Sequence, residues 1–318
     1  MISGRAICRG RERPAAREQY HELGKDMRIC FIVNPVAGRG RSLKAMEAAG
    51  EVLDQTGHTY HIHRSSRPGE ATSLAAQAAG EGMDLVVAVG GDGTVCEVGR
   101  GLIRTNTALG VIPAGTGNDY CRCLGIPQDP TEAAKLLLTG RARPVDAMRA
   151  GDVVGLNLSS VGFDVEVVRR SRRFLWLGKL SYVAGVFSAL LSFKGISLEL
   201  DMDGERREGA YFLLAAGKGT DYGGGMRVLP NARVDSGMLD ICLVEPAGLW
   251  TVLRFLPSFI KGRHAGNKIV HMGKARRVEI ISPGAMTLNV DGEIVQAGER
   301  VVLEVLPRAL QVIAPADV

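Results

Sequence analysis

The sequence has few aromatic residues, no paired-cysteine motif and no long apolar run, and each absence excludes a class of protein. Aromatic residues make up 5% of the 318 residues. This is few for a surface on which nucleic-acid bases stack, so we expect no nucleic-acid partner. The longest uncharged apolar stretch covers residues 180–193, whereas a membrane-spanning helix needs about 20 residues. None of the six cysteines belongs to a C-x-x-C pair, which argues against zinc-finger and thioredoxin-like sites.

The first 26 residues lack the apolar core of a secretory signal and show no helix or strand period. We expect residues 1–26 to form a disordered N-terminal extension, with the ordered chain beginning at Met27. Without an export signal, the expected location is cytoplasmic and the expected state of the thiols is reduced.

The chain carries a net charge of only +5, but its basic residues are concentrated in two segments of the later half that contain no acidic residue. Residues 169–194 contain six basic residues and residues 246–278 contain seven. Such concentrations favour an anionic partner, and we expect peripheral association with an anionic membrane surface. The alternative is a solvated basic face. Oligomeric state is open, with a homodimer among the alternatives.

Short apolar runs alternate with helical patterns in the first part of the chain. The predicted strands are 28–33, 58–63, 84–89 and 108–112, and the predicted helices are 41–55, 69–80 and 94–103. This order predicts an α/β doubly wound domain with a mainly parallel sheet over residues 27–140.

From residue 141 onward the pattern changes to strand-like runs separated by turn residues. The runs are 152–160, 196–202, 209–216, 237–244, 276–281, 286–290 and 300–306. We therefore predict a β-rich antiparallel sandwich domain over residues 141–318, interrupted by helices near 179–193 and 248–261. Whether the extreme C-terminus packs back on the first domain is left open.

Three glycine-rich turns follow the carboxyl ends of predicted parallel strands. They are NPVAGRG at 34–40, GGDGT at 90–94 and PAGTGND at 113–119. In open α/β sheets the ligand crevice lies at this edge. We expect each turn to lead into a helix, whose N-terminus attracts phosphate. None of the three is a Walker A loop or a G-x-G-x-x-G fingerprint, so the pattern predicts phosphate binding without naming the ligand.

Two acids lie inside these turns, where they would repel a phosphate unless a cation lay between them. Asp92 and Asp119 are therefore candidate Mg²⁺ ligands, directly or through water. The alternative is helix N-capping, which Asp performs well. Both alternatives stay open for Asp119, whereas the glycines on both sides of Asp92 favour the metal.

The motifs together resemble the bacterial diacylglycerol-kinase-like lipid kinases, which are kin of sphingosine and ceramide kinases. The resemblance rests on GGDGTVCEVGRGL (90–102), PAGTGNDYCRCLGIP (113–127), LNLSSVGFDVEVV (156–168), YGGGMRVLP (222–230), VDSGMLDICLV (234–244) and VDGE (290–293). It runs from about residue 27 to the end. It implies a lipid kinase of phospholipid metabolism, with ATP and Mg²⁺ in a cleft between an α/β nucleotide-binding domain and a β-sandwich lipid-substrate domain.

The resemblance also implies roles for individual residues. Residues around phosphate and nucleotide would be Asn34, Gly38, Gly91, Gly93, Thr94, Gly115, Thr116, Asn118 and Asp119. Asp92 would organise Mg²⁺ with assistance from Asp291, and Glu293 would be the base that accepts the proton of a lipid hydroxyl.

The chain departs from the family at several positions. Cys96 and Arg100 stand where the family usually or often has Asn, and Lys218 stands where Asn often precedes the GGG turn. The family's second metal loop usually reads Asp-Asp-Gly, whereas this chain has Asp235-Ser236-Gly237. A metal at this loop is therefore in doubt, with Asp235 or the Ser236 hydroxyl as candidate ligands.

Alternatives remain for both the base and the function. Asp-Gly-Glu occurs at 203–205 and again at 291–293, and only the resemblance selects Glu293 over Glu205, which we interpret as a surface turn. The competing functions are an NAD kinase-like enzyme and a non-catalytic lipid or nucleotide sensor on the same fold.

Overall fold

The structure is a computed structural model that describes residues 6–8, 27–171, 173–174, 176 and 181–315. The chain divides into two compact units, of which the first takes in Met1–Val145 and Arg308–Val318 and the second takes in Asp146–Pro307. The division after Val145 lies five residues beyond the expected boundary at 140, because strand β6 (Arg141–Ala150) runs through it.

The first unit contains a mainly parallel sheet with helices between its strands. Its elements are β1 (Ala6–Cys8), β2 (Ile29–Val33), α1 (Arg41–Asp54), β3 (Tyr60–Arg64), α2 (Glu70–Gly80), β4 (Leu85–Gly90), α3 (Asp92–Leu102), β5 (Ala108–Pro113), α4 (Asp119–Cys123) and α5 (Pro130–Thr139). The strand order is β1-β3-β2-β4-β5, and β2 pairs in parallel with β3 and β4, as β4 does with β5. Every residue of β2, β4 and β5 is buried, which explains their continuous apolar runs.

The predicted elements of the first domain are present, with one shift that matters for the site. Helix α3 begins at Asp92, two residues before its predicted start, so that Asp92 lies in the first turn. Helix α4 follows the third glycine-rich turn, where a helix was expected, whereas α5 had not been predicted. Helix α5 begins where the Asp129 side chain accepts hydrogen bonds from the backbone N–H groups of Thr131 and Glu132, as a helix N-cap does.

Strands near both ends of the sequence pair with strands of the first unit. Strand β1 pairs antiparallel with β3, and residues 1–5 and 9–26 lie outside the described part, so the expectation for the extension stays a prediction. The last strand, β17 (Arg300–Ala314), enters the first unit after Pro307. There it pairs in parallel with β5, with Gln311 opposite Ala108.

The second unit is an antiparallel β-sandwich, as predicted. Its further strands are β7 (Val153–Gly155), β8 (Leu158–Gly162), β9 (Ile196–Met202), β10 (Glu205–Tyr211), β11 (Leu213–Gly217), β12 (Leu239–Val244), β13 (Val270–Ala275), β14 (Arg277–Ile281), β15 (Met286–Val290) and β16 (Glu293–Ala297). One sheet has the order β13-β12-β11-β8-β15-β16, and the other runs β17-β14-β9-β10. A common core joins both sheets, with Leu214 and Ile241 from the first and Leu200, Ile280 and Leu303 from the second.

Three helices cover the six-stranded sheet of the second unit. They are α6 (Phe163–Ser171), α7 (Ser181–Leu190) and α8 (Leu249–Ile260), and α6 had not been predicted. The chain turns from β8 into α6 at Gly162, whose φ is +109° and where a Cβ would lie 2.7 Å from the Phe212 carbonyl oxygen. Only glycine fits this turn. Arg172 and Lys179, two of the six basic residues of segment 169–194, lie outside the described residues.

Candidate active site

The three glycine-rich loops of the first unit pack directly against one another, backbone to backbone. A Cβ added to Gly115 would lie 2.5 Å from the Cα of Gly91, and one added to Gly38 would lie 2.0 Å from the carbonyl oxygen of Ala114. Since real Cβ atoms do not approach so closely, glycine is required at both places. The loops therefore form one continuous patch of backbone at the carboxyl edge of the sheet.

Side chains tie the same loops together. The Asn34 amide donates to Thr94 Oγ1 at 3.2 Å, and Asn118 Oδ1 accepts from the Gly115 N–H at 2.9 Å. Arg41 bridges two loops by donating to the carbonyl oxygens of Gly38 at 3.0 Å and of Gly115 at 2.8 Å. Sequence reasoning missed Arg41, although a basic residue directly after a glycine-rich turn was a usable signal.

Asp92, in the second loop, lies against the third loop and the helix that follows it. Its Oδ1 accepts a hydrogen bond from the Tyr120 N–H at 3.1 Å, and its Oδ2 lies 2.7 Å from where a Cβ of Gly117 would be. Burial raises the pKa of Asp92, the Tyr120 N–H opposes this, and the Asp119 carboxylate raises it further. A cation would favour the ionised form, so these residues fit Mg²⁺.

The remaining predicted residues of the first unit differ in their surroundings. Gly93 and Thr116 are exposed. Asp119 is buried in the first turn of α4, and its Oδ1 lies 2.5 Å from Arg122 Nη2. Among the described residues there is no group of three or more His, Cys, Asp or Glu side chains placed to hold a metal. Mg²⁺ is commonly held by one or two carboxylates together with substrate phosphates.

In the second unit, the Asp291 side chain holds three consecutive backbone N–H groups, an arrangement that we call a clamp. Its carboxylate accepts hydrogen bonds from the N–H groups of Leu156 at 2.6 Å and of Asn157 and Leu158, both at 3.0 Å. Sequence reasoning did not foresee this role, and the expectation that Asp291 assists a metal stays a prediction.

Both Asp-Gly-Glu segments form the same tight hairpin turn. Asp291 and Gly292 have φ values of +52° and +91°, and Asp203 and Gly204 have +52° and +95°, as the Asp-Gly type of two-residue turn requires. Asp203 is likewise a clamp and accepts from the N–H groups of Arg276 and Arg277. Because the two turns have the same local shape, this shape does not indicate whether Glu205 or Glu293 is the base.

The surroundings of the two turns do differ. Glu205 is exposed and binds Arg207 Nη2 at 2.6 Å. Glu293 is also exposed, but the Gly292 N–H before it donates to Asn289 Oδ1 at 2.9 Å, and the amide of Asn289 donates to Asp164 Oδ2 at 3.1 Å. The second turn is thus connected to the interior of the unit.

An apolar cavity of about 330 Å³ lies in the second unit, under helices α6, α7 and α8. Its walls include Phe163, Val186, Phe187, Leu190, Phe212, Leu253, Phe255 and Phe259. Helices near 179–193 and 248–261 were predicted from the sequence, but no cavity beneath them was. We refer to this space as the apolar cavity.

One wall of the apolar cavity is polar. Ser160, Asp164 and Tyr222 line it, and Asp164 Oδ2 accepts hydrogen bonds from Ser160, from Tyr222 and from Asn289 behind it. Burial raises the pKa of Asp164, and these donors oppose the shift. Asp164 Oδ1 is buried and has no hydrogen-bond partner in the described structure, so a polar group of a ligand would satisfy it.

Asp235, the last predicted metal ligand, is exposed and pairs with Arg233, whose Nε lies 3.2 Å from its Oδ1. Its neighbour Ser236 binds the ammonium group of Lys218, with Oγ and Nζ 2.8 Å apart.

Over the described ranges, no helix is both long and apolar enough to cross a membrane.

This combination of an α/β unit with glycine loops and a β-sandwich with an apolar cavity matches two family models. The diacylglycerol kinase catalytic domain matches residues 28–150, and the YegS C-terminal NAD kinase beta sandwich-like domain matches residues 157–314. Fold and site thus define the class of two-domain lipid kinases.

Individual proteins with the same kind of name are similar to this chain over most of its length. A diacylglycerol kinase of Bacillus subtilis is 32% identical over 84% of this chain and 89% of its own length. A diacylglycerol kinase of Mycobacterium tuberculosis is 31% identical over 95% of this chain and 98% of its own. A crystal structure described as that of "a putative diacylglycerol kinase from Bacillus anthracis" superposes with a TM-score of 0.75 at 27% identity, covering 93% of this chain and 100% of that one.

The chain therefore belongs to the bacterial diacylglycerol-kinase-like family, and it is a lipid kinase. The predicted resemblance, fold class and enzyme class are confirmed. A protein of Klebsiella pneumoniae named "Probable lipid kinase YegS-like", 30% identical over 88% of this chain and 94% of its own length, agrees with this assignment.

The position of Asp92 leads to a first prediction. In Asp92→Asn, lipid phosphorylation should fall about 10³-fold, because Asp92 would hold Mg²⁺ and the loss of that charge costs several kcal/mol in the transition state. The melting temperature should hardly change, since the Asn side-chain oxygen still accepts from Tyr120. A transfer assay with radiolabelled ATP and a thermal melt measure both quantities.

The matched control is Asp129→Asn, since Asp129 is a helix cap and Asn caps equally well. The control should keep full activity. Equal, near-normal activity in both variants would show that Asp92 is only a helix-terminal residue.

Proposed function

We propose that this lipid kinase transfers the γ-phosphoryl group of ATP, with Mg²⁺, to a hydroxyl of a lipid of the diacylglycerol class. The observation that carries the proposal is the apolar cavity with its one polar wall, which Asn289 connects to the turn before Glu293. The names of the relatives support the same acceptor class.

The first unit supplies the means of holding the nucleotide. Its glycine loops bring backbone N–H groups close to where phosphates would bind, and Arg41 lies at the same loops. Asp92 would hold Mg²⁺, which neutralises charge on the phosphates when bound. Phosphoryl transfer needs such positioning and electrostatic stabilisation more than covalent chemistry from the protein.

The second unit supplies the means of holding the acceptor. Each CH₂ group of an acyl chain gains about 0.8 kcal/mol on leaving water, so the apolar cavity favours a lipid chain over a polar metabolite. The polar wall would bind an oxygen-bearing group near the head of the lipid, because Asp164 Oδ1 lacks a partner among the described groups.

We assign the base to Glu293. Its carboxylate would accept the proton of the lipid hydroxyl while the hydroxyl oxygen bonds to the γ-phosphorus. At the same time the bond from that phosphorus to the leaving oxygen of ADP breaks. The clamp of Asp291 on three backbone N–H groups fixes the turn that carries Glu293.

We further propose that helices α7 and α8 meet an anionic membrane surface. The side chains of Phe187, Leu191 and Trp250 are 53%, 76% and 82% exposed. Phe187 and Ile260 also line the apolar cavity, so the exposed apolar groups continue into it. Basic residues of the two acid-free segments accompany them, and basic residues at an anionic surface contribute about 1 kcal/mol each.

The transfer assay itself tests the proposed function. With radiolabelled ATP and a panel of diacylglycerol, sphingosine, ceramide and NAD, label should enter diacylglycerol in MgCl₂ and disappear with EDTA. Label in NAD alone would instead favour an NAD kinase, and no label in any acceptor would favour a non-catalytic sensor.

Glu293→Gln tests the assignment of the base. Because Gln keeps the shape and removes the proton acceptor, turnover should fall by about 10²–10⁴-fold, the usual cost of losing a general base. ATP binding, measured by calorimetry, should survive.

Glu205→Gln, in the other Asp-Gly-Glu turn, is the internal control and should leave turnover near normal. If both variants lost activity equally, or if only the control did, the base would be another residue.

Trp250→Ser tests the docking surface. Co-sedimentation with vesicles that contain anionic lipid should fall several-fold, because a large exposed aromatic side chain no longer inserts at the interface. Binding of the unchanged protein should weaken as salt screens the basic residues.

Ile281→Ser, which changes an exposed apolar side chain on strand β14, should leave vesicle binding unchanged. Equal binding of the unchanged protein to neutral and anionic vesicles would contradict the docking surface.

A further inference from the structure

Lys218 is the most unusual buried residue of the second unit. It follows β11 directly, its side chain is 0% exposed, and it is among the largest fully buried side chains of the protein. Lysine is almost never fully buried unless it is paired. Its surroundings should therefore explain why the sequence keeps a positive charge there.

Three oxygen atoms surround the Lys218 ammonium group. Asp146 Oδ2 lies 2.9 Å from Nζ, Ser236 Oγ lies at 2.8 Å and the Met238 carbonyl oxygen lies at 2.5 Å. An ammonium group has three N–H donors, so each donor has one oxygen partner. The charge is compensated by the Asp146 carboxylate, which is itself 1% exposed.

The segment 233–238, which we call the cation loop, is folded around this ammonium group. The Asp146 N–H donates to the Val234 carbonyl oxygen at 2.7 Å, and Asp146 Oδ2 also accepts from the Gly237 N–H at 2.7 Å. The Ser236 hydroxyl also donates to the carbonyl oxygen of Arg233 at 3.3 Å. The loop thus gives two oxygen atoms, Ser236 Oγ and the Met238 carbonyl oxygen, to the ammonium group, and its backbone is fixed to Asp146, which supplies the third.

A carboxylate, a hydroxyl and backbone carbonyls are also the oxygen ligands that Mg²⁺ and Ca²⁺ take in proteins. The cation loop is the place where the family resemblance implies a metal. This chain departs from the family at Ser236 in the loop and at Lys218 outside it, and these two side chains touch each other. The residues present do not fit a metal there, because the ammonium group already takes the oxygens.

We propose that the Lys218 ammonium group is a built-in replacement for the divalent cation of this loop. The cation loop then binds no Mg²⁺, and the stability of the β-sandwich unit does not depend on divalent metal. Asp235 is free to pair with Arg233 at the surface, as the structure shows. Metal dependence of the enzyme would be confined to the nucleotide and Asp92.

Opposing effects act on the pKa of Lys218. Burial lowers the pKa of Lys218, and the Asp146 carboxylate opposes this, with weaker support from Asp240 and Asp235. Removal of the lysine would leave Asp146 buried without its counter-charge, which is among the most destabilising changes that a buried pair can undergo.

Thermal melts of the full-length protein without nucleotide test the proposal, and they are independent of any kinase activity. The melting temperature of the unchanged protein should be the same in EDTA and in MgCl₂. Lys218→Met should lower it by on the order of 10 °C in both buffers. The double variant Lys218→Asn, Ser236→Asp should lose stability in EDTA and regain it in MgCl₂, with one additional Mg²⁺ site by calorimetry.

Other outcomes would overturn the proposal. A fall in the melting temperature of the unchanged protein in EDTA that MgCl₂ reverses, and that Ser236→Ala abolishes, would place a metal in the cation loop. A Lys218→Met protein as stable as the original would show that the ammonium group is not the organising cation. These two measurements decide the question even if the double variant fails to fold.

Discussion

A buried charge must be compensated, and this constraint determines the chemistry of both units. Burial limits the access of water to Asp92, Asp164, Asp291 and Lys218, which lie wholly or partly inside the protein. Each therefore needs a partner that the fold provides or a ligand brings. Asp291 and Lys218 are satisfied by the protein itself. Asp92 has a raised pKa, and Asp164 has an oxygen without a partner in the described structure. The groups that the protein satisfies support the structure, and the raised pKa of Asp92 and the unpartnered oxygen of Asp164 are consistent with the ligands proposed at these two places.

The glycine loops could be predicted from sequence because their structure is decided locally. Buried parallel strands produce continuous apolar runs, and the turns that follow them carry glycines because backbones must approach closely, as Gly91 and Gly115 do. The Asp-Gly hairpins could be predicted from the sequence for the same reason. The start of α3 was misplaced by two residues, since glycines next to Asp92 obscure the first turn of the helix.

The rest of the site depends on contacts between residues far apart in the sequence, which no local pattern reveals. The apolar cavity needs three helices and a sheet, and its polar wall joins Asp164 to Asn289, which are 125 residues apart. The clamp of Asp291 on residues 156–158 spans a similar distance. Lys218 and Ser236 each looked like an isolated departure from the family, and only the fold shows that they bind each other.

The nucleotide is proposed to bind at the glycine loops and the lipid in the β-sandwich unit, where the apolar cavity would hold its acyl chain. Photolabelling tests this assignment most directly, with a diacylglycerol that carries a photoreactive group in its acyl chain and is displaced by unlabelled diacylglycerol. The account predicts that mass spectrometry finds the displaceable label on residues that line the apolar cavity, such as Leu253 and Phe255. Displaceable label confined to the first unit would contradict the account.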